Sequence, residues 1–404
     1  MYTKAMNSIC LHNGTVITGL TSMENCSVLV EDGFIAEIFS RRRFEQKKFA
    51  SGVNIVDVNG AYISPGFIDT HIHGFGGYGT DDALYVKTST VENAADSIIE
   101  MSRLLVKHGV TAFNPTLYPA TPDIMVNAVR QISSAAGKEN GARIMGLHLE
   151  GPFISPDKLG VQRPETVSPV DLGLMEKLWN ASEGRIVNMT VAPEIKHMRE
   201  LALYCIKKGI ILQAGHTDAF YENMIEGMQA GILHVTHLFN AMSRLDHRNP
   251  NAVGAVLTHP QMSCEIIADG AHVHPGLFKL LIRDKPIDKI VLVSDSLKSS
   301  SQETGPFYAN GEEVVFEDGL YRRKLDGVIA GSGITMIQGL KNLVKFGFSL
   351  EDAVKTASSN PAKVMRYTNK GVIIPGMDAD LAVFDKNFTV LAAITGGKLC
   401  YENF

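Results

Sequence analysis

The chain has 404 residues, 45% of them hydrophobic, with 38 basic and 43 acidic side chains and a formal net charge of −5. Single cores stop growing near ~250–300 residues, so one large domain with a small companion is expected. The near-balanced charge, with no long Lys/Arg run, lacks the electrostatic footprint of a nucleic-acid or anionic-membrane binder, and no apolar run approaches the ~20 residues of a membrane helix.

In chain order, Met1–Asn13 has no continuous apolar core of a secretion leader, so a cytoplasmic protein is expected. Ser27–Ile38 (SVLVEDGFIAEI) reads as strand, Asp-Gly turn and strand, and the tail Gly371–Cys400 again reads as short strands broken by Pro-Gly and Gly-Gly. Together the ends predict one small β domain, residues 1–60 plus 366–404. The middle, residues 61–365, carries eight short β-rich runs, starting at Tyr62, Val110, Arg143, Ile186, Ile210, Leu233, Cys264 and Ile290. Between them lie stretches long enough for helices, amphipathic in Val91–His108 and Leu172–Leu178. Strands alternating with helices pair in parallel, and eight such units predict a (β/α)8 barrel. The five cysteines, Cys10, Cys26, Cys205, Cys264 and Cys400, are odd in number and widely spaced, which fits neither a disulfide framework nor a thiolate metal knuckle.

Most of the eight runs carry a His, Asp or Glu at or near their ends, and the carboxyl ends of barrel strands open onto the face where this fold builds active sites. Side chains alternate along a strand, so His71 and His73 share a face and can point together into the mouth. Alone, such a pair also has a reading as hydrogen-bonded core histidines. Glu150 stands where an apolar strand meets a Gly-Pro turn; His nitrogen and carboxylate oxygen are ligands of divalent metals, and a carboxylate there can serve one ion or bridge two. His148 shares the parity of Glu150 and is read as supporting the ligands. His216 and His237 close the fifth and sixth runs, and Asp295 closes the eighth. Alternation separates His234 from His237 and makes His234 structural, while His108 before Gly109 reads as a helix C-terminus. Each residue has a structural reading by itself; jointly they point to a catalytic metal site.

The motifs that carry these residues resemble the N-acetylglucosamine-6-phosphate deacetylase family of the amidohydrolase superfamily. The resemblance runs in order through PGFIDTHIHG from Pro65, HLEGPF from His148, VAPE from Val191, AGHT from Ala214, THLFNAM from Thr236, ADGAHV from Ala268, VSDS from Val293, AGSGITM from Ala330 and PGMDADL from Pro375. The set HLEGP, HLFNAM and ADGxH is specific to the family, whereas HxH is not. The resemblance implies a metal held by Glu150, His216 and His237, a second held at His71 and His73, and Asp295 as catalytic acid/base. It assigns Asn240 and Ala241 through their backbone, with Arg248 and His272, to the sugar and phosphate. The arginine is expected to come from the neighbouring subunit of a homodimer. The ion is expected to be zinc or iron, with manganese or cobalt alternatives, one or two per subunit. The expected substrate is a phosphorylated N-acetyl amino sugar.

Two departures from the family pattern stand out. Where many members carry a histidine that polarises the acetyl carbonyl, this chain offers Gln162; and after Asp295 the usual Ala/Gly-rich stretch is the polar Ser296–Ser301, in the expected substrate-covering loop. Alternative readings are an N-acetylgalactosamine-6-phosphate deacetylase, another metal-dependent amidohydrolase such as a cyclic-amide or dipeptide hydrolase, and a non-catalytic scaffold. Many of the cyclic-amide and dipeptide enzymes bridge two metals with a modified lysine on the fourth strand, which here has none. A scaffold would be expected to have lost ligands that this chain retains.

Overall fold

The computed structural model describes residues 8–85 and 93–404. Eight parallel strands form the barrel: β1 (Phe67–Ile72), β2 (Val110–Leu117), β3 (Leu147–Glu150), β4 (Ile186–Val191), β5 (Ile211–Ala214), β6 (His234–Val235), β7 (Ser263–Ile267) and β8 (Ile290–Val293). Each pairs with the next in sequence order. Backbone bonds from Asp295 N–H to the His71 carbonyl at 2.9 Å and from His73 N–H to the Ser296 carbonyl at 3.0 Å carry the ring from its last strand to its first. The strands are buried almost throughout, as a parallel sheet covered by helices requires.

The helices follow from local chemistry. Pro122–Ser133 starts on a proline whose missing N–H is no loss at a helix start, and Leu172–Ala181 is capped by Asp171, which accepts from the Gly173 and Leu174 N–H groups. The helix expected over Val91–His108 is Ala94–Leu105 followed by a tighter turn ending at His108 and Gly109, whose φ is 79°; Val91 and Glu92 lie outside the described residues.

A second sheet joins the chain ends. Its order runs Lys398–Glu402, Val390–Thr395, Leu381–Phe384, Tyr62–Pro65, Ile9–Ile17, Ser22–Glu31 and Phe34–Ser40, with Asn54–Asp57 beside Ile9–Ile17. The Asp32-Gly33 turn sits where the sequence places it, both residues at positive φ as a tight hairpin demands. The run from Tyr62 differs from expectation: Tyr62–Pro65 pairs with Leu381–Phe384 and Ile9–Ile17 in this terminal sheet, and only after Gly66 does the chain enter the barrel. A four-stranded antiparallel sheet, Phe307–Ala309, Glu312–Glu317, Leu320–Arg323 and Ile329–Ser332, was not anticipated at all.

All five cysteines are unpaired, four of them buried and Cys400 half-buried. No helix among the described residues is long and apolar enough to cross a membrane.

Candidate metal centre

The strand ends bring Glu150, His71, His73, His216, His237 and Asp295 together at the carboxyl mouth of the barrel, each less than a tenth exposed. Nε2 of His216 and of His237 each stand 3.1 Å from Glu150 Oε1, and 3.2 Å from one another. On the other side of the same carboxylate, His71 Nε2 is 3.4 Å from Oε1 and His73 Nε2 is 3.4 Å from Oε2. Both of these nitrogens are 3.5 Å from Asp295 Oδ1. Two groups of donor atoms result, His71–His73–Glu150 and Glu150–His216–His237, with Glu150 common to both.

This spacing fits metal ligation. Ligands ~2.0–2.2 Å from a shared ion at a tetrahedral angle stand ~3.3–3.6 Å apart, close to every separation above. His71 Nε2 is buried with no hydrogen-bond partner among the described residues, a costly arrangement unless a cation takes the lone pair. The donor set, imidazole nitrogen plus carboxylate oxygen, suits a divalent transition metal.

Local backbone strain contributes to the convergence. His216, His237 and Asp295 all lie beyond the last residue of their strands with φ of 45°, 25° and 47°, a left-handed region that side chains with a Cβ rarely adopt. Strand alternation, which separated His237 from His234, does not itself aim His237 or Asp295, because both sit past the regular strand. His234 is buried below the site, its Nδ1 2.8 Å from Ser263 Oγ. His148 is held at both ring nitrogens, by Thr116 Oγ1 at 3.0 Å and Thr190 Oγ1 at 2.9 Å. Burial, reinforced by the charge of His71, pushes its pKa well down. It supports the centre from within the barrel rather than facing the cleft.

Other ring nitrogens are oriented from behind. His216 Nδ1 is 2.9 Å from the Lys158 carbonyl and His73 Nδ1 is 3.1 Å from the Thr116 carbonyl. His71 Nδ1 is 3.0 Å from Glu265 Oε2, a carboxylate with zero exposure in the middle of β7. Burial opposes ionisation of Glu150 and Glu265, yet the facing histidines hold both carboxyls well below the usual range. A carboxylate behind a ligating imidazole fixes its tautomer and raises its basicity. Glu265 escaped the sequence reading, although a lone acid inside an otherwise apolar strand was its signal.

Above the centre lies a cleft of about 320 Å³. Gln162, Asn240, Ala241 and His272 all line it, as expected, together with Tyr118, Val328 and the strand residues Ile329–Gly331, which were missed. Tyr118 stacks on His73 with ring centroids 3.8 Å apart. Gly160 passes close to His216 at a φ of 58°, and a Cβ there would meet the imidazole at 3.2 Å. His272 Nδ1 is 2.5 Å from Asp269 Oδ2, so Nε2 is the ring nitrogen left for a ligand. The Asn240 N–H donates to the His237 carbonyl at 3.0 Å, which shapes the turn that brings Asn240 and Ala241 to the cleft. Arg248 is exposed and does not line the cleft of its own chain. The polar Ser296–Ser301 stretch, expected in a covering loop, is instead buried through Ser300, with Ser296 Oγ bonded to the Gly74 carbonyl and Ser300 Oγ to the Ser332 carbonyl.

Comparison with known proteins shows the family and the fold. Residues 62–400 match the model of the amidohydrolase family. An N-acetylglucosamine-6-phosphate deacetylase of Lysinibacillus sphaericus is 32% identical over 396 residues, covering 97% of each chain, and that of Bacillus subtilis (strain 168) is 31% identical over 402 residues, covering 98% and 97%. Among solved structures, the N-acetylglucosamine-6-phosphate deacetylase of Pasteurella multocida superposes with a TM-score of 0.87 at 27% identity, over 97% of this chain and 99% of that one. A mutant of the Mycobacterium smegmatis enzyme in complex with N-acetyl-D-glucosamine-6-phosphate also gives 0.87, at 25% identity over 98% and 100%.

Proposed function

The chain belongs to the amidohydrolase family, and we propose that within it the protein is a metal-dependent N-acetylglucosamine-6-phosphate deacetylase, releasing acetate and glucosamine 6-phosphate. The observation that carries this reading is the pair of donor groups sharing Glu150 at the floor of a cleft that contains His272 and Asp295. Relatives of that name are about this chain's length and match it end to end.

In this reading Glu150, His216 and His237 hold one divalent cation, zinc or iron, and His71 and His73 with Glu150 hold a second. When bound, the metal supplies Lewis-acid polarisation of the acetyl carbonyl and acidifies a water molecule. Asp295 Oδ1 accepts a proton as the water oxygen bonds to the carbonyl carbon, and returns it to the sugar nitrogen as the C–N bond breaks. An amide nitrogen leaves only when protonated, so one carboxylate serves both steps. Gln162 donates its amide N–H to the oxygen on which charge develops, a neutral replacement for the more usual histidine. His272, the backbone at Asn240 and Ala241, and Arg248 of a second copy in a homodimer bind the sugar and its phosphate; the exposure of Arg248 outside its own cleft supports that arrangement. The protein acts in the cytoplasm.

The test is a comparison of kcat/KM for N-acetylglucosamine and N-acetylgalactosamine, each with and without the 6-phosphate. The proposal expects the phosphorylated gluco sugar to lead. A preference for the galacto sugar would reassign the substrate, and activity indifferent to phosphate would remove the phosphate-binding role from this cleft.

A further inference from the structure

The turn Asn310-Gly311 joins the antiparallel strands Phe307–Ala309 and Glu312–Glu317, and both residues have positive φ, 50° and 76°. Asn-Gly is the favoured pair for such a two-residue hairpin, and that local role would by itself explain the asparagine. Hairpin tips normally face water. This one is buried: Asn310 has zero exposure, and a Cβ on Gly311 would come within 2.7 Å of the Tyr85 ring.

The buried amide is held in one orientation. Its Nδ2 donates to the Val161 carbonyl at 3.2 Å, which can only accept, and its Oδ1 receives the Tyr85 hydroxyl at 2.7 Å. The second hydrogen on Nδ2 reaches Gln162 Oε1 at 3.3 Å. Gln162 is 1% exposed and lines the cleft, with its Nε2 2.6 Å from Glu150 Oε2. A glutamine amide beside a cation has two choices, because its oxygen is itself a competent ligand while its NH2 end is a donor. Occupying Oε1 from behind settles that choice in favour of the donor.

We propose that Asn310 is a positioning residue for the reaction: it holds Gln162 Oε1 away from the metal centre so that Gln162 Nε2 is presented to the acetyl oxygen. The proposal rests on the reading of Gln162 as the donor to that oxygen. It couples the glutamine found at this position to the hairpin inserted after β8, through a contact made by one side chain.

The test is a double-mutant cycle on the metal-loaded enzyme, with metal content and melting temperature measured for each variant. Gln162→Ala should lower kcat by roughly 10²-fold, the scale of a lost donor to developing negative charge, with KM little changed. Asn310→Gly keeps the left-handed turn but removes the amide, and should lower kcat by about 10-fold, the upper range of one net hydrogen bond. Combined, the two should be no slower than Gln162→Ala alone within about two-fold, since Asn310 then has nothing left to orient. If Asn310→Gly costs the same factor in both backgrounds, its role is structural and the proposal fails while the reading of Gln162 stands. If Gln162→Ala leaves kcat unchanged, the reading of Gln162 fails and the proposal with it. Should Asn310→Gly not fold, Asn310→Asp, of equal size and turn preference but without the donor, runs the same cycle.

Discussion

Glu265 Oε2 lies 3.0 Å from His71 Nδ1, on the opposite side of the imidazole from Glu150 and Asp295. The ring is therefore clamped between a carboxylate that fixes its tautomer and the side chains of the metal centre. Glu265→Gln keeps the size of the side chain and loses the charge. Supporting carboxylates of this kind typically cost ~10–100-fold in metal affinity when changed, so metal titration of Glu265→Gln should show the ion at His71 and His73 weakened by that factor. The ion at His216 and His237 should be nearly unaffected. Equal weakening at both positions would mean that Glu265 stabilises the barrel floor as a whole.

The two chain ends share one sheet and one core, in which Ile373, Leu381, Val383 and Ile394 pack with Ile9, Val28 and Ile63. Removing residues 371–404 takes away the strand paired with Tyr62–Pro65 and four large apolar side chains of that core. At ~1.5–3 kcal/mol for each fully buried side chain, the loss is comparable to the whole stability of a typical protein. The truncated chain should fail to fold or melt far below the full chain. An unchanged melting curve would show that the N-terminal strands stand alone.

Arg248 is exposed, and its backbone N–H is held by Asp246 Oδ1 at 2.8 Å, so the loop is shaped while the guanidinium is presented outward. If it forks onto the phosphate of a neighbouring site, Arg248→Ala should raise KM for the phosphorylated sugar by roughly 10-fold or more, the scale of one charge-assisted contact. Slow turnover of the unphosphorylated sugar should barely change. Mixing Arg248→Ala with Asp295→Asn subunits should restore activity through hybrid dimers carrying one intact site; no recovery despite demonstrated subunit exchange would place Arg248 outside the neighbouring site.

The barrel was legible because its strands are short, apolar and regularly spaced, and because most of the runs carry a His, Asp or Glu at or near their ends. The metal-site candidates were legible for the same reason: His and Glu at strand ends stand out against apolar sequence. Legibility failed where tertiary context decides. Tyr62–Pro65 has the composition of a barrel strand, yet it pairs with Leu381–Phe384, more than three hundred residues away. Ser296–Ser301 reads as part of a substrate-covering loop because nothing local reveals that Gly74 and Ser332 carbonyls await its hydroxyls. Asn310 drew no reading from the sequence, and only the fold sets its turn against Gln162.

The most direct test of the central claim is the rate of acetate release from N-acetylglucosamine 6-phosphate by wild-type enzyme and by Asp295→Asn, each with its metal content measured. Asn is nearly isosteric, and Asp295 Oδ1 is within 3.5 Å of both His71 and His73, so the substitution removes the proton carrier while leaving Glu150, His216 and His237 in place. General acid–base help is typically worth ~10²–10⁴-fold, and one group here performs two transfers. Wild type should release acetate only when metal-loaded, and Asp295→Asn should keep the ion at Glu150, His216 and His237 while kcat falls at least ~10³-fold with KM little changed. A metal-replete Asp295→Asn enzyme that retains more than about a tenth of wild-type kcat would contradict the account, since the proton must then travel by another group.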